Sequence, residues 1–216
     1  MRTALAAAAF AALIVSGTPA LGGTDEAFTA SVSRIDRETR RTMVGTSWHP
    51  GCPVPLANLR LLRVTHWGFD DTAHEGELVV HRGWADEIVS VFRALYRERF
   101  PVRRMRLVDQ YGADDRVSMK HDNTSAFNCR FVAGTSTWSQ HAFGRAIDIN
   151  PVENPYVAGS HVSPPRGRRF IDRTDVRPGM IVEGDAVWQA FRRIGWGWGG
   201  SWSSASDYQH FSANGR

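Results

Sequence analysis

The stretch from Trp84 to Phe100 constrains the fold of this 216-residue chain more than any other segment. Arginine and glutamate side chains occupy one face of this stretch, and the apolar residues recur at helical spacing on the other. These apolar residues are Trp84, Ile88, Val91, Phe92 and Leu95. Pro101 fits the end of the predicted helix, because proline has no amide hydrogen to continue the hydrogen-bond ladder. The rest of the protein must therefore offer an apolar surface against which this helix packs.

Most of the other predicted elements are short strands. Runs of apolar residues predict strands at 59–64, 77–80, 105–108, 127–132, 145–149 and near 208–211. A second amphipathic helix is predicted at 185–194, a surface loop at 112–124, and an arm or short helix within 24–48. Strands grouped with few helices favour an α+β fold. We expect an N-terminal arm at 21–50 and one domain at 51–216, because no repeat or long linker divides the chain.

The first 20 residues have the pattern of a secretory signal peptide. Arg2 precedes an apolar run from Ala4 to Val15, and small residues follow it. The run is short for a bilayer span, and no later window is apolar enough to serve as a second anchor. We therefore expect a secreted or cell-envelope protein without a membrane span in its mature form. The alternative is that the segment is retained as an N-terminal anchor.

The amount and distribution of charge in the chain argue against a nucleic-acid partner. Removing residues 1–20 takes away Arg2 and no acidic residue, so the net charge of +4 falls to +3. The positive charge is almost entirely arginine spread along the chain, and Lys120 is the only lysine. A nucleic-acid-binding protein commonly clusters its basic residues on one face. A mild cationic excess suits a protein that works near anionic cell-wall polymers.

The two cysteines, Cys52 and Cys129, favour a disulfide if the chain is exported. Such a bridge would stabilise the fold by about 4 kcal/mol in the chain-entropy model. The alternative is two separately buried thiols. A third interpretation makes Cys129 the nucleophile of a cysteine hydrolase, with His121 or His141 as its base.

Two histidines and two aspartates in the second half of the chain have the chemistry of a hydrolytic metal site. A zinc hydrolase needs imidazole or carboxylate ligands, an open position for water, and a carboxylate that takes the proton of that water. His141, Asp148 and His210 can supply the ligands, and Asp207 can supply the base. Spacing alone does not establish the site, because lone histidines are more often structural. We assume a structural or surface role for His49, His66, His74, His81, His121 and His161.

The local patterns around these residues resemble a known family. The stretch SQHAFGRAID (139–148) has the order S-x-H-x-x-G-x-A-x-D, and SDYQHF (206–211) places an aspartate three residues before a histidine. Both resemble the motifs of the zinc D-alanyl-D-alanine carboxypeptidase family, which includes VanY-like and VanX-like peptidases and phage L-alanyl-D-glutamate endopeptidases. The resemblance extends over residues 52–211 through GELVVH, NTSAFNCR, INPVENPY and GWGWGGSW.

The resemblance implies a fold and a set of roles. The family fold is a small antiparallel sheet flanked by helices, with zinc on one face of the sheet. His141, Asp148 and His210 would bind one Zn²⁺ per chain, and Asp207 would be the base that later protonates the leaving amine. Many carboxypeptidases and dipeptidases of the family have glutamate at the position of Asp207, whereas aspartate resembles the endopeptidase branch. The bond that is cleaved stays open.

Three further residues are candidates for substrate contacts. By resemblance, Arg130 reaches the substrate carbonyl or carboxylate and stabilises the oxyanion, although a structural salt bridge is the alternative. Ser139 would hold His141 or the substrate by a hydrogen bond, or would only form a turn. Trp198 and its neighbours Trp196 and Trp202 would wall the substrate groove, with core packing expected for at least one of them.

Together these patterns predict an exported, monomeric zinc peptidase that hydrolyses the peptide stem of peptidoglycan. The bond would be of the D-alanyl-D-alanine or the L-alanyl-D-glutamate type. The alternative within the same fold is a non-catalytic cell-wall-binding or signalling module, as in hedgehog-type domains. Loss of the base or of a ligand would mark that alternative, and all four residues are present here.

Overall fold

The computed structural model describes residues 27–216, so the predicted signal peptide at 1–20 and the start of the predicted arm lie outside the described residues. The helices within this range are α1 (Arg37–Met43), α2 (Ala85–Arg97), α3 (Asp115–Lys120) and α4 (Ala186–Arg193). The strands are β1 (Ala30–Arg34), β2 (Leu59–Trp67), β3 (Ala73–His81), β4 (Ala146–Asp148), β5 (Tyr156–Ala158), β6 (His161–Ser163), β7 (Gly197–Trp198), β8 (Ser206–Asp207) and β9 (His210–Ser212). The predicted mixture of a few helices with antiparallel strands is therefore found.

The described strands form three separate three-stranded sheets, where the sequence predicted one small sheet. Their orders are β1-β2-β3, β4-β9-β7 and β6-β5-β8, and every pairing is antiparallel. The strand predicted near 208–211 is the point of difference. The chain turns at Tyr208 and Gln209, so β8 and β9 belong to different sheets. The residues before and after this turn are thereby held by different parts of the molecule.

Helix α2 packs against the sheet of β1, β2 and β3 and forms the main core. Its buried residues Ile88, Val91 and Phe92 lie in one cluster with residues of the first and second sheets, including Ile147 of β4 and Phe211 of β9. Burying each such side chain contributes roughly 1.5–3 kcal/mol. The predicted amphipathic helix is thus the element that joins the first sheet to the strands carrying the candidate ligands.

Three predicted segments differ from the structure. Residues 105–108 form no strand, because Met105 makes only an isolated bridge to Thr124 and a 3-10 helix follows from Val108. The predicted loop at 112–124 contains α3, whose first turn is capped by the Asp114 side chain. Residues 127–132 lie outside the named strands, and Phe131 makes an isolated bridge to Trp138.

The N-terminal arm is partly a strand. Strand β1 pairs along β2, and α1 follows with Asp36 as its N-cap. A disulfide between Cys52 and Cys129 joins the chain after α1 to the segment that leads to the candidate ligands, with Cα atoms 5.9 Å apart. The division at residue 50 stays a prediction. Among residues 27–216, no helix has the length and apolar character that crossing a membrane requires.

Candidate metal centre

Asp148 and His210 meet because they are directly opposite each other in the pairing of β4 with β9. They are 62 residues apart in the sequence, yet His210 Nδ1 lies 2.9 Å from Asp148 Oδ1. Directly opposite residues on one face of an antiparallel pair bring their side chains together. Both faces of β4 are buried, so the carboxylate of Asp148 is enclosed although the apolar Ile147 points the other way.

His141 enters the same site from a short 3-10 helix spanning Gln140–Phe143. The Ser139 hydroxyl accepts a hydrogen bond from the His141 amide, and Gly144 ends the turn in a left-handed conformation with φ of 64°. A Cβ atom at Gly144 would lie 2.6 Å from the amide nitrogen of His81, so the turn packs tightly on β3. His141 Nε2 consequently lies 3.2 Å from Asp148 Oδ2.

Main-chain carbonyl groups fix the orientation of both imidazole rings. His141 Nδ1 lies 2.5 Å from the oxygen of Ala126, and His210 Nε2 lies 3.2 Å from the main-chain oxygen of Arg216. A carbonyl oxygen can only accept, so these two nitrogens donate. The other two nitrogens, His141 Nε2 and His210 Nδ1, are 3.3 Å apart and face the carboxylate of Asp148. Second partners of this kind set the tautomer of metal-binding histidines.

The three side chains fit the donor set of a catalytic zinc site. One ligand atom from each of His141, Asp148 and His210 lies within 4.8 Å of the others, and all three residues are buried. Two imidazole nitrogens and a carboxylate leave a coordination position open on zinc. Burial alone would raise the pKa of Asp148, but the charges and hydrogen bonds of the two histidines lower it. The carboxylate is therefore held in its ionised form, which is the form that a metal ion would require.

His210 shows the complementary effect. Burial favours its neutral form, but hydrogen bonding to Asp148 and the charges of Asp148 and Asp207 raise its pKa above the ordinary value. The carboxylates of Asp148 and Asp207 thus favour a positive charge at His210. A divalent metal would take the place of protons between these groups.

Asp207 lies next to this centre on β8, immediately before the turn. Gln209 Nε2 donates a hydrogen bond of 3.1 Å to Asp207 Oδ1. Burial and the nearby charge of Asp148 raise the pKa of Asp207 to about 6, although both histidines and Gln209 act to lower it. A carboxyl group with a pKa near neutrality can both accept and return a proton. The chain turns immediately after Asp207, at Tyr208 and Gln209.

Arg130 forms an ion pair with Asp115 of α3, with Arg130 Nη2 2.9 Å from Asp115 Oδ2. The main chain of Arg130 is linked to the metal-site turn, because its carbonyl oxygen accepts from the Ser139 amide. The guanidinium is only partly exposed, and its Nε is buried with no hydrogen-bond partner among the described residues. This side chain is thus oriented by a carboxylate and retains an unused donor.

The structure gives Ser139 and Trp198 mainly local contacts. Ser139 is 5% exposed, and its hydroxyl caps the turn that carries His141. Trp198 is 9% exposed and donates its indole N–H to the oxygen of Tyr208. Trp196 is in the core, as expected for at least one of the three tryptophans, whereas Trp202 is half-buried with its ring 5.5 Å from that of His210.

The cysteines cannot act as nucleophiles or ligands. His49, Cys52 and Cys129 lie close enough together to resemble a second metal group. Both sulfur atoms are in the disulfide, however, and a bridged sulfur supplies no thiolate. The cysteine-hydrolase interpretation is therefore wrong, and His141 belongs to the other cluster.

Several groups in this site were not predicted from the sequence. The carbonyl oxygens of Ala126 and Arg216 carry no side-chain signal, so no sequence pattern could identify them. Asp115 lies in the segment that the sequence predicts to be a loop. Because α3 is not predicted there, the ion pair of Asp115 with Arg130 could not be anticipated. Gln209 stands within SDYQHF, and its position between Asp207 and His210 was the available signal.

A comparison with protein families gives a match in the second half of the chain. Residues 133–213 match the family model described as D-alanyl-D-alanine carboxypeptidase. No curated protein and no solved structure matches the chain. The matched range contains His141, Asp148, Asp207 and His210, while Arg130 and Cys129 lie before it. The match over residues 133–213 therefore agrees with the resemblance to the zinc D-alanyl-D-alanine carboxypeptidase family that the two motifs predict.

Proposed function

We propose that this protein is an exported zinc peptidase that hydrolyses the peptide stem of peptidoglycan. The observation that carries the proposal is the meeting of His141, Asp148 and His210 around one point, with Asp207 beside them. The family match supports peptidase chemistry in this part of the chain. A non-catalytic module of the same fold would have no need of a proton-accepting carboxyl group next to the three ligands.

Zinc at this position would polarise the substrate carbonyl and lower the pKa of a water molecule, which is the chemistry that the side chains alone cannot supply. The two histidines and Asp148 would hold the metal, and the main-chain oxygens of Ala126 and Arg216 fix the orientation of the two rings. Asp207 accepts the proton of the attacking water and returns it to the leaving amine. Gln209 keeps the carboxylate of Asp207 in place through its hydrogen bond.

Arg130 is proposed to bind the oxygen that becomes negative as the carbonyl is attacked. Asp115 fixes one edge of the guanidinium, and a fixed donor stabilises developing charge better than a mobile one. Ser139 is assigned to the turn that positions His141, since its hydroxyl is already engaged there. Trp198 is proposed to wall the substrate groove through its ring while its indole N–H stays bound to Tyr208.

The proposed location is the cell envelope or the exterior. The apolar segment after Arg2 supports export, and the disulfide between Cys52 and Cys129 is the kind of bond that persists in an oxidising compartment. We propose that the mature protein acts as a monomer on peptidoglycan peptides. Mass spectrometry of digested peptidoglycan distinguishes D-alanyl-D-alanine cleavage from L-alanyl-D-glutamate cleavage.

Two substitutions test the roles in the centre. Asp207→Ala should keep the zinc and the fold while lowering the rate of stem-peptide hydrolysis about a hundredfold to ten-thousandfold, since a positioned proton acceptor contributes that much. His210→Ala should lose the metal, because a ligand has been removed. Zinc content is measured by elemental analysis and hydrolysis by chromatography of a synthetic stem peptide. Asp175→Ala and His161→Ala, at exposed positions on the same chain, are the matched controls.

The two variants also separate the alternatives. If Asp207→Ala lost zinc as a ligand variant does, or cleaved the peptide at close to the parent rate, the assigned base would be wrong. If the parent bound one zinc and bound peptidoglycan without cleaving any peptide bond, the chain would be a binding module of the same fold.

A further inference from the structure

A cavity of about 660 Å³ adjoins the metal centre on the side of His210. Helix α4 contributes Trp188 and Arg192 to its lining, and the segment 197–204 contributes Trp198 and Trp202. The connection to the centre is direct. The ring of Trp202 lies 5.5 Å from that of His210, and Arg216, which also lines the cavity, supplies the oxygen that holds His210 Nε2. A molecule in this cavity would therefore extend up to the metal ligands.

The aromatic walls of this cavity are fixed in place. The indole N–H of Trp198 donates to the oxygen of Tyr208 over 2.8 Å, and that of Trp202 donates to the oxygen of Gly215 over 2.6 Å. With their polar atoms satisfied, these rings offer apolar surface to a ligand without a rearrangement. Large aromatic side chains with few rotatable bonds lose little conformational entropy on binding.

The lining of the cavity contains more basic than acidic residues. Arg192 and Arg216 are the arginines that line it, and Glu183 is the acidic residue of the lining. Arg192 is exposed on α4 with its Cζ atom 5.2 Å from the ring centre of Trp188. In the part of the chain that the structure describes, no ion pair engages Arg192. Its five donor hydrogens are thus available to a carboxylate, which a guanidinium binds through two parallel hydrogen bonds.

We propose that this cavity is a substrate subsite in which Arg192 binds a carboxylate of the stem peptide. Its three tryptophans, Trp188, Trp198 and Trp202, would pack against the aliphatic part of the peptide. This inference rests on the proposed function, because it concerns the same centre. It adds a specificity determinant that neither motif contains. The stem peptide fits the cavity because it carries free carboxylates on a largely aliphatic backbone.

The experiment measures binding separately from cleavage. The Asp207→Ala full-length protein is titrated by calorimetry with a synthetic stem tetrapeptide and with the same peptide bearing amidated carboxylates. Adding Arg192→Gln should weaken binding of the carboxylate peptide about tenfold to a hundredfold, as expected for loss of charge-assisted hydrogen bonds. Amidating the peptide should weaken its binding to the Asp207→Ala protein by the same factor. It should hardly change binding to the variant that also carries Arg192→Gln, so the effects of the two changes are not additive.

Arg193→Gln is the matched control, because Arg193 is the exposed neighbour on α4 and does not line the cavity. It should bind both peptides as the parent does. Glu183→Gln tests whether the ligand group bound in the cavity is negatively or positively charged. Removing the carboxylate of the lining should strengthen binding of an anionic group, whereas weaker binding would show a cationic ligand group and overturn the proposal. An equal loss of peptide affinity in the Arg192→Gln and Arg193→Gln variants would also overturn it. The same holds if a glycan strand without peptides competes for the site and the stem peptide does not.

Failure of this inference is distinguishable from failure of the proposed function. If the zinc-loaded parent cleaves the stem peptide and Arg192→Gln cleaves and binds it equally well, the subsite is wrong and the peptidase stands. If the parent cleaves no peptide while binding depends on Arg192 and on the carboxylate, the subsite stands and the peptidase assignment fails.

Discussion

Glu153 is a buried carboxyl group outside the metal centre. It is 2% exposed and lies beside Asp122, which is 4% exposed. The guanidinium of Arg103 is the nearby cation, at 3.5 Å from Glu153 Oε1 and 3.6 Å from Asp122 Oδ2. Burial, together with the hydrogen bond and charge of Asp122, raises the pKa of Glu153 to about 8. Glu153 therefore carries a proton in the folded protein at neutral pH.

This shift makes the stability of the fold depend on pH. In the unfolded chain Glu153 ionises near its ordinary pKa of 4.5. Between that value and about 8 the folded state binds more protons than the unfolded state, so the free energy of unfolding falls as the pH rises. Glu153→Gln mimics the protonated acid and should remove this decline. We expect the variant to be more stable than the parent at pH 9 and about equal to it at pH 5.

Chemical denaturation at the two pH values measures the difference in the free energy of unfolding. Glu75→Gln is the control, because Glu75 is an exposed glutamate of β3. A Glu153→Gln variant that is less stable than the parent at pH 9 would show that the ionised carboxylate is needed there, as the partner of Arg103.

Arg130 gives a second test at this scale. Arg130→Lys keeps the positive charge but loses the planar fork of donors, so it should lower the turnover number more than the zinc content. Asp115→Asn leaves Arg130 in place but removes the carboxylate that orients it, and we expect a smaller loss of turnover. Both are measured with the stem peptide and elemental analysis. Unchanged hydrolysis in Arg130→Lys would restrict Arg130 to a structural ion pair.

At the scale of elements, the sequence predicts those helices and strands that are long enough to show a periodic pattern of apolar residues. Helices α2 and α4 follow from apolar residues at helical spacing, and β2 and β3 from β-branched and leucine-rich runs. The family motifs point to the candidate ligands without stating how they meet. The pairing of Asp148 with His210 depends on the register of β4 with β9, and a three-residue strand carries too little pattern to define a register. The split into three sheets escapes prediction for the same reason.

Gly199 shows how closely β8 and β9 approach the preceding segment. A Cβ atom at this position would lie 2.7 Å from the oxygen of Asp207 and 3.3 Å from the Cβ of His210. Main-chain atoms cannot move aside as a flexible side chain can. Gly199→Ala should therefore displace the turn, lowering both zinc content and hydrolysis. Gly83→Ala is the control, because its nearest contact would be an ordinary 3.4 Å to the His81 ring. Full activity in Gly199→Ala would mean that the turn adapts without moving the base.

At the scale of the whole molecule, main-chain hydrogen bonds link the first sheet to the candidate metal centre in addition to the shared core. The carbonyl oxygen of Gly144 accepts from the His81 amide at the end of β3, and the Phe127 amide donates to Val79 of the same strand. The disulfide adds a covalent link between the chain after α1 and the segment leading to His141. The Cys129 amide also donates to the oxygen of Ser47, so this link lies within a packed region.

The disulfide should contribute to stability without taking part in the chemistry. The two cysteines are 77 positions apart in the sequence, and for a loop of this size the chain-entropy model gives about 4 kcal/mol. Replacing both cysteines, as Cys52→Ser with Cys129→Ser, should therefore lower the free energy of unfolding by about this amount. Zinc content below the new melting temperature should be unchanged, because neither sulfur is a ligand. Reductant should destabilise the parent by a similar amount and leave the double variant unaffected. Loss of zinc from the folded double variant would show that the bridge positions the ligands, and equal stability of the two proteins would show that the unfolded chain gains no freedom when it is cut.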